Sequence, residues 1–243
     1  MILSIIIPCY NEEKNIPYVV ERLRECVGDR NDIEIILVNN GSTDQSETVL
    51  KSEISKSGKG YFILSTLEKN IGYGFGILTG LSAAKGDVLS WTHADMQTDP
   101  NDVIKAYEQY FAYAEQIFLK GKRKRRRPAE VFFTFGMQIF VWIILGTYLD
   151  DINAQPKMFS RVFYEKYIKE NAPFDFSLDL FAMYRAKKTG CRIVSFPVYF
   201  AERLHGEAKG GGGSWKNRLN LIKRTFIYTI ALKKYRRLEE TGN

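Results

Sequence analysis

The feature that most constrains this chain is the alternation, over its first hundred residues, of short apolar runs with amphipathic stretches. Residues 2–8, 33–38, 61–65 and 87–91 read as strands, and residues 13–26, 43–54 and 72–84 as helices. In 13–26 the apolar residues Ile16, Val19, Val20 and Leu23 fall at helical spacing, and Ser42 or Asp44 is available to cap 43–54. Strands that are apolar throughout, separated by helices, predict an α/β fold with a mostly parallel sheet covered on both faces. Ligands of such sheets sit beyond the carboxyl ends of the strands. Attention therefore falls on Tyr10-Asn11-Glu12, Asn39-Asn40-Gly41 and His93-Ala94-Asp95, which end three of those runs.

The second half is organised differently. Residues 131–146 carry almost no polarity and no charge; as a helix they would extend about 24 Å, short of the ~30 Å core of a bilayer. They suit either a membrane interface or a protein core. Residues 215–238 place Trp215, Leu219, Ile222, Phe226 and Ile230 on one helical stripe with basic residues around it, the pattern of a helix lying on an anionic membrane. Seven of the eight residues 120–127 are cationic, within a net charge of +7. Such clusters favour phosphates, acidic headgroups or nucleic acid. The position of this run just before the apolar stretch predicts a role facing headgroups. Cys9, Cys26 and Cys191 lack metal-type spacing and point to a reducing compartment. The apolar start lacks a basic leader and reads as a strand rather than a secretion signal.

Three pieces carry chemistry. Pro8-Cys9-Tyr10-Asn11-Glu12 offers a ring, an amide and a carboxylate that could grip a base and ribose, or else form an ordinary strand-to-helix turn with Asn11 as cap. Asn39 or Asn40 could face a nucleobase edge, although Asn and Gly also suit a tight turn. In His93-Ala94-Asp95-Met96-Gln97, the carboxylate of Asp95 and the side-chain oxygen of Gln97 could hold Mg²⁺ or Mn²⁺, which accept oxygen ligands and keep several waters. Asp99 before Pro100 is accounted for as a helix cap. The Gly72-Tyr73-Gly74-Phe75-Gly76 pattern is not a dinucleotide fingerprint.

Together these pieces resemble the P-x-Y-N-E, V-D-D-G-S-x-D and D-A-D-L-Q-x-x-P signatures of family 2 glycosyltransferases with the GT-A fold. Residues 120–123, 151–161 and 202–209 look like segments of their polyprenyl-phosphate branch, the dolichol-phosphate mannose synthase-like enzymes. The likeness covers roughly residues 1–215. It implies a Rossmann-like GT-A sheet and inverting transfer of a sugar from a UDP- or GDP-linked donor to a polyprenyl phosphate, with Mg²⁺ or Mn²⁺ on Asp95 and Gln97. The implied donor contacts are Pro8, Tyr10, Asn11, Glu12, Asn39, Asn40, His93, Ala94, Asp95, Gln97, Gln155 and Lys157. Arg123, Arg203 and Lys209 would grip acceptor phosphate and donor diphosphate. Two departures stand out: His93 replaces the first Asp of D-x-D, and Asn39-Asn40 replaces the usual Asp pair.

A phosphate acceptor is already nucleophilic at neutral pH, because its second pKa is near 6. No strong base is then needed. A saccharide or protein hydroxyl would need one, and Asp179 is the candidate; a catalytically inactive relative is the further alternative. The expected organisation is a GT-A catalytic domain over 1–214, with a nucleotide-sugar half (1–99) and an acceptor half (100–214), then a basic amphipathic tail (215–243). The glycine-rich stretch 203–214 would serve as a lid. The expected setting is peripheral, on the cytoplasmic face of an anionic membrane, with room for a membrane-protein partner or a homo-oligomer. Nucleic acid is not an expected partner, since it leaves the nucleotide-sugar pieces unexplained.

Overall fold

A computed structural model describes residues 2–113, 116–126, 128–206 and 222–234. Strand β1 (Leu3–Cys9) is followed by α1 (Ile16–Val27), β2 (Ile33–Asn40), α2 (Ser46–Ser57), β3 (Phe62–Leu67), α3 (Tyr73–Ala83), β4 (Val88–Trp91) and α4 (Asn101–Tyr110). The second half adds β5 (Ile117–Lys124), α5 (Pro128–Leu145), β6 (Lys157–Ser160), α6 (Arg161–Tyr167), α7 (Leu178–Lys188) and β7 (Arg192–Tyr199). Residues 222–234 are helical as well.

Among the described residues the strands form one seven-stranded sheet in the order β3-β2-β1-β4-β6-β5-β7. β1 runs parallel to β2 and β4, β2 to β3, and β5 to β7, while β6 is antiparallel to both β4 and β5. Strand alternation assigns the two faces. Ile5, Ile7, Ile35 and Leu37 pack with α1, α2 and α4, whereas Ile6, Ile36 and Val38 pack with α3, α6 and α7. Burial on both faces explains why these strands are apolar at successive positions.

The sheet continues through the second half, where the sequence pattern is less regular. Four of the seven cations of the run, Lys120, Lys122, Arg123 and Lys124, lie on β5, and Lys120 there is fully buried. The loop before β6 brings two acids against the run. Lys120 Nζ pairs with Asp150 at 2.9 Å and Lys122 with the same carboxylate at 3.3 Å. Arg123 Nη2 reaches Asp151 Oδ1 at 2.5 Å and Arg126 Nη1 reaches it at 3.5 Å. Four cations of the run, Lys120, Lys122, Arg123 and Arg126, thus share two carboxylates within the protein.

Several local expectations also shift. Helix α1 is capped at Asn15 rather than Asn11, and α2 starts after Gln45, so neither Ser42 nor Asp44 occupies the cap. Those side chains are used in the loop instead. Ser42 Oγ accepts from the Asn11 amide at 3.1 Å, and Asp44 accepts from the amides of Ser46 and Glu13. Helix α5 divides its surface: Val141 and Leu145 are buried, while Phe132, Phe135, Trp142 and Ile143 are exposed. Among the described residues no helix is long and apolar enough to cross a membrane. Phe226 stacks on Phe140 of α5 at 4.2 Å, which joins the 222–234 helix to α5. In that helix Thr229 and Leu232 are buried, and Ile222, Phe226 and Ile230 are exposed. Trp215 and Leu219 of the expected stripe lie outside the described residues.

Candidate active site

The carboxyl ends of β1, β2, β4, β5 and β7 open at one edge of the sheet, and the reversed β6 begins there. A cavity of about 770 Å³ occupies that edge. Pro8, Tyr10 and Glu12 reach it after β1, Asn40 at the end of β2, and His93, Ala94, Asp95 and Gln97 after β4. Arg123 and Arg126 enter from the end of β5, and Arg203 from the loop after β7. Tyr73 at the start of α3 and Asp179 in the first turn of α7 complete the wall.

Two acids of the first half meet a cation of the second. Arg203 forms an ion pair with Glu12, and its Nη1 reaches Asp95 Oδ2 at 3.4 Å. Its Nε donates to the His205 carbonyl at 2.7 Å, and Asn15 Nδ2 donates to the same carbonyl at 3.2 Å. The loop carrying Arg203 is further sewn down by Gln97 Nε2, which donates to the Ala201 carbonyl at 3.3 Å. Met96 adopts φ 59°, and the turn it makes lets the Gln97 amide donate to Asp95 Oδ1 at 3.1 Å. Left-handed backbone in a non-glycine residue is uncommon and gathers at functional sites.

Glu12, Asp95 and Gln97 all line the cavity and carry side-chain oxygens of the kind a hard divalent cation takes, and the two carboxylates share Arg203. Among the described residues no group of three or more His, Cys, Asp or Glu could hold a metal alone. A cation here would take one or two protein oxygens and complete its shell with diphosphate and water, as Mg²⁺ does.

Not every residue singled out in the sequence faces the cavity. Asn39 is buried beside it: its Nδ2 donates to Glu47 Oε2 at 3.3 Å and its Oδ1 accepts from the Ser42 amide at 3.2 Å. Asn11 is tied to Thr43, whose amide donates to Asn11 Oδ1 at 2.7 Å. Both shape the loop under the site and do not line it. Gln155 and Lys157 stand behind Asp179. Gln155 Nε2 donates to Asp179 Oδ1 at 2.9 Å, and Lys157 Nζ lies 3.4 Å from the same atom. Lys209 lies outside the described residues, as does 207–214 of the expected lid. Asp99 is occupied by the Arg22 guanidinium, at 2.8 and 2.9 Å, and by the Asn101 amide.

The structure adds residues the sequence did not single out. Arg126 lines the cavity and donates to Thr134 Oγ1 at 2.6 Å. Arg224 reaches the cavity from the 222–234 helix. Tyr73 stacks on Phe176 at 4.7 Å and lies 5.7 Å from the His93 ring. Arg126 was visible only as one member of a charge run, and nothing in a linear pattern pairs Tyr73 with Phe176.

The model of the family described as "Glycosyl transferase family 2" matches residues 4–172, well over half of the chain. The chain belongs to glycosyl transferase family 2. Among its curated relatives in this family, the undecaprenyl-phosphate 4-deoxy-4-formamido-L-arabinose transferase of Pseudomonas fluorescens (strain Pf0-1) is 29% identical over 219 residues, covering 85% of this chain and 59% of the relative. The protein of the same name from Photorhabdus laumondii is 27% identical, covering 85% and 62%. The family 2 chain therefore spans about three fifths of the length of these relatives. Glucosyl-3-phosphoglycerate synthase from Mycobacterium tuberculosis, solved with Mn²⁺, uridine diphosphate and phosphoglyceric acid, superposes with a TM-score of 0.73 at 17% identity, over 96% of this chain and 78% of that one. S. aureus TarS 1-349 superposes with a TM-score of 0.57 at 19% identity, over 83% and 60%. These likenesses establish the GT-A fold.

Proposed function

We propose that this family 2 chain transfers a sugar from a nucleotide-sugar donor to a polyprenyl phosphate at a membrane surface. The observation that carries the reading is the polarity of this cavity. Glu12 and Asp95 stand at the strand ends of the first half, and Arg123, Arg126 and Arg224 line the part built by the second half. Phe133, Thr134 and Met137 of α5 also line it, and the same helix exposes Phe132, Phe135 and Trp142. An anionic headgroup on an apolar chain fits such an arrangement: guanidinium forks for the phosphate, apolar surface beside them for the chain. The names of the curated relatives support the same acceptor class.

In this reading the nucleoside lies along Pro8, Tyr10 and Asn40, and the diphosphate lies towards Asp95. Asp95 with the Gln97 side-chain oxygen would hold Mg²⁺ or Mn²⁺, which when bound neutralises the leaving diphosphate. Arg203, held between Glu12 and Asp95, would pair with the diphosphate. Arg123 and Arg126 are aimed by Asp151, so the acceptor phosphate meets preset donors. The phosphate needs no base, and the enzyme's task is to hold two anions together. Residues 1–99 serve the nucleotide of the donor, and 100–214 serve the acceptor and also reach back to the donor, through Arg203 among others. The setting is peripheral, on the cytoplasmic face, with the exposed aromatics of α5 in the interface.

The experiment is sugar transfer from a panel of UDP- and GDP-sugars to a short polyprenyl phosphate in detergent with Mn²⁺ or Mg²⁺. Product on the lipid phosphate supports the reading. Transfer only to hydroxyl acceptors would move the acceptor class, and absence of donor binding would overturn the reading.

A further inference from the structure

A fully buried lysine is left unexplained by a reaction between two phosphates. Lys157 opens β6 opposite Trp91 of β4 and is 0% exposed. Its ammonium donates to the carbonyls of Ile152 at 2.7 Å and Ala154 at 2.6 Å, and lies 3.4 Å from Asp179 Oδ1. Trp91 Nε1 donates to that same oxygen at 3.3 Å and Gln155 Nε2 at 2.9 Å. Three groups thus grip one carboxylate oxygen from the protein side. From the cavity side the carboxylate faces Tyr73, whose hydroxyl also accepts from Gln155 at 3.2 Å.

Burying a carboxylate is costly unless it is paired and hydrogen-bonded. Asp179 has both forms of support, and its place in the first turn of α7 adds the positive end of a helix. A charged carboxylate fixed in a cavity is an acceptor of hydrogen bonds and nothing else. Beside anionic acceptor phosphate it would repel. Beside a sugar it can take hydroxyl protons, with the stacked Tyr73–Phe176 pair and His93 as the neighbouring surface.

We infer that Asp179 reads the sugar of the donor, and that Lys157 and Gln155 are positioning residues that hold its carboxylate in place and aimed. The inference rests on the donor reading above and names the part of that site which recognises the transferred group.

The test uses the full chain and calorimetric titration with UDP-glucose, GDP-mannose, UDP and GDP. Asp179→Asn is expected to lower affinity for the sugar nucleotide about 10–100-fold, the range for losing a hydrogen bond to a charged group, with the bare diphosphate unchanged. Equal loss for both ligands, or loss for neither, overturns the sugar assignment. A wild-type chain that binds UDP or GDP as well as the matching sugar nucleotide keeps the donor site and overturns this inference alone. Binding of none of the four overturns both.

Lys157→Met leaves Asp179 buried and unpaired, so it should reproduce the selective loss or fail to fold. Lys157→Met combined with Asp179→Asn removes both charges and should restore folding while keeping the selective loss. A double variant as unstable as the two single effects summed overturns the pairing. The pH dependence gives a second readout. Burial draws the Lys157 ammonium down to about 8, although Asp179 on α7 and Asp151 in the loop before β6 oppose this and Lys120 on β5 assists it. The preference for sugar nucleotide over diphosphate should therefore fall as pH rises through about 8, and Lys157→Arg, which stays charged, should remove that fall. A preference unchanged across that range overturns the role of Lys157.

Discussion

Arg203 and Asp95, 108 residues apart in sequence, meet at 3.4 Å in the cavity. The guanidinium supplies the positive charge that the Asp95 carboxylate would otherwise take from a divalent cation. Arg203→Gln is therefore expected to bind Mn²⁺ several-fold more tightly than wild type in the absence of nucleotide, and to lose at least tenfold in affinity for nucleoside diphosphate with Mn²⁺ present. Mn²⁺ electron paramagnetic resonance reads the first effect and calorimetry the second. Unchanged Mn²⁺ affinity would show that Arg203 and the metal do not share Asp95.

Asp151 is one of the carboxylates that should contribute to acid stability. Burial would raise its pKa, but hydrogen bonds and charge from Arg123, with Arg126 beside it, hold it below the ordinary carboxylate range. A carboxylate lowered on folding contributes stability above its unfolded pKa near 4, and that contribution is lost as pH falls further. Thermal melts from pH 7 down to about 3 should show wild type losing stability steeply in the lowest part of the range. Asp151→Asn should be less stable at pH 7 by about 3 kcal/mol, the scale for breaking a buried pair, and its acid slope should be shallower. Parallel pH curves would refute the assignment.

Gly76 of α3 gives a steric test of the cavity wall at Asn40. A Cβ there would stand 2.7 Å from the Asn40 side-chain carbon, whose amide donates to the Gly72 carbonyl at 3.1 Å. Gly76→Ala should displace Asn40 from the cavity wall and cost about 1–3 kcal/mol in stability, the range for overpacking. Nucleotide binding should weaken with it. Retained affinity would place the nucleobase elsewhere.

Trp142 and Ile143 test the membrane face. They are 53% and 69% exposed on a helix without charge between residues 131 and 145. The double variant Trp142→Glu, Ile143→Glu should sediment far less with vesicles containing anionic lipid, while soluble nucleotide binding stays at the wild-type value. Unaltered sedimentation would move the membrane contact to another surface.

Much of the cavity wall built by the first half is legible in the sequence because each piece lies at the end of a strand. Pro8, Tyr10, Glu12, Asp95 and Gln97 follow runs whose apolar pattern fixes strand and direction together, and all five line the cavity. Asn39 was mis-aimed because neighbouring residues on a strand point to opposite faces: Asn40 took the cavity and Asn39 the loop beneath. The second half resisted for another reason. Lys120 is buried on β5 only because Asp150 lies across from it, and such a partner, 30 residues away, is invisible to local periodicity. Lys157 follows the same logic: a lysine reads as surface until the sheet closes over it.

The reversal of β6 has a consequence for synthesis. Val88–Trp91 of β4 pair with Lys157–Ser160, so the outer edge of β4 has no strand beside it until some seventy further residues have been made. A nascent chain holding only β1 to β4 would carry a four-stranded sheet with an open edge, the template on which other chains add. The three strands added after β4 therefore both complete the site and cover that edge, and a ribosome stalled before β6 would release an aggregation-prone half rather than a donor-binding module.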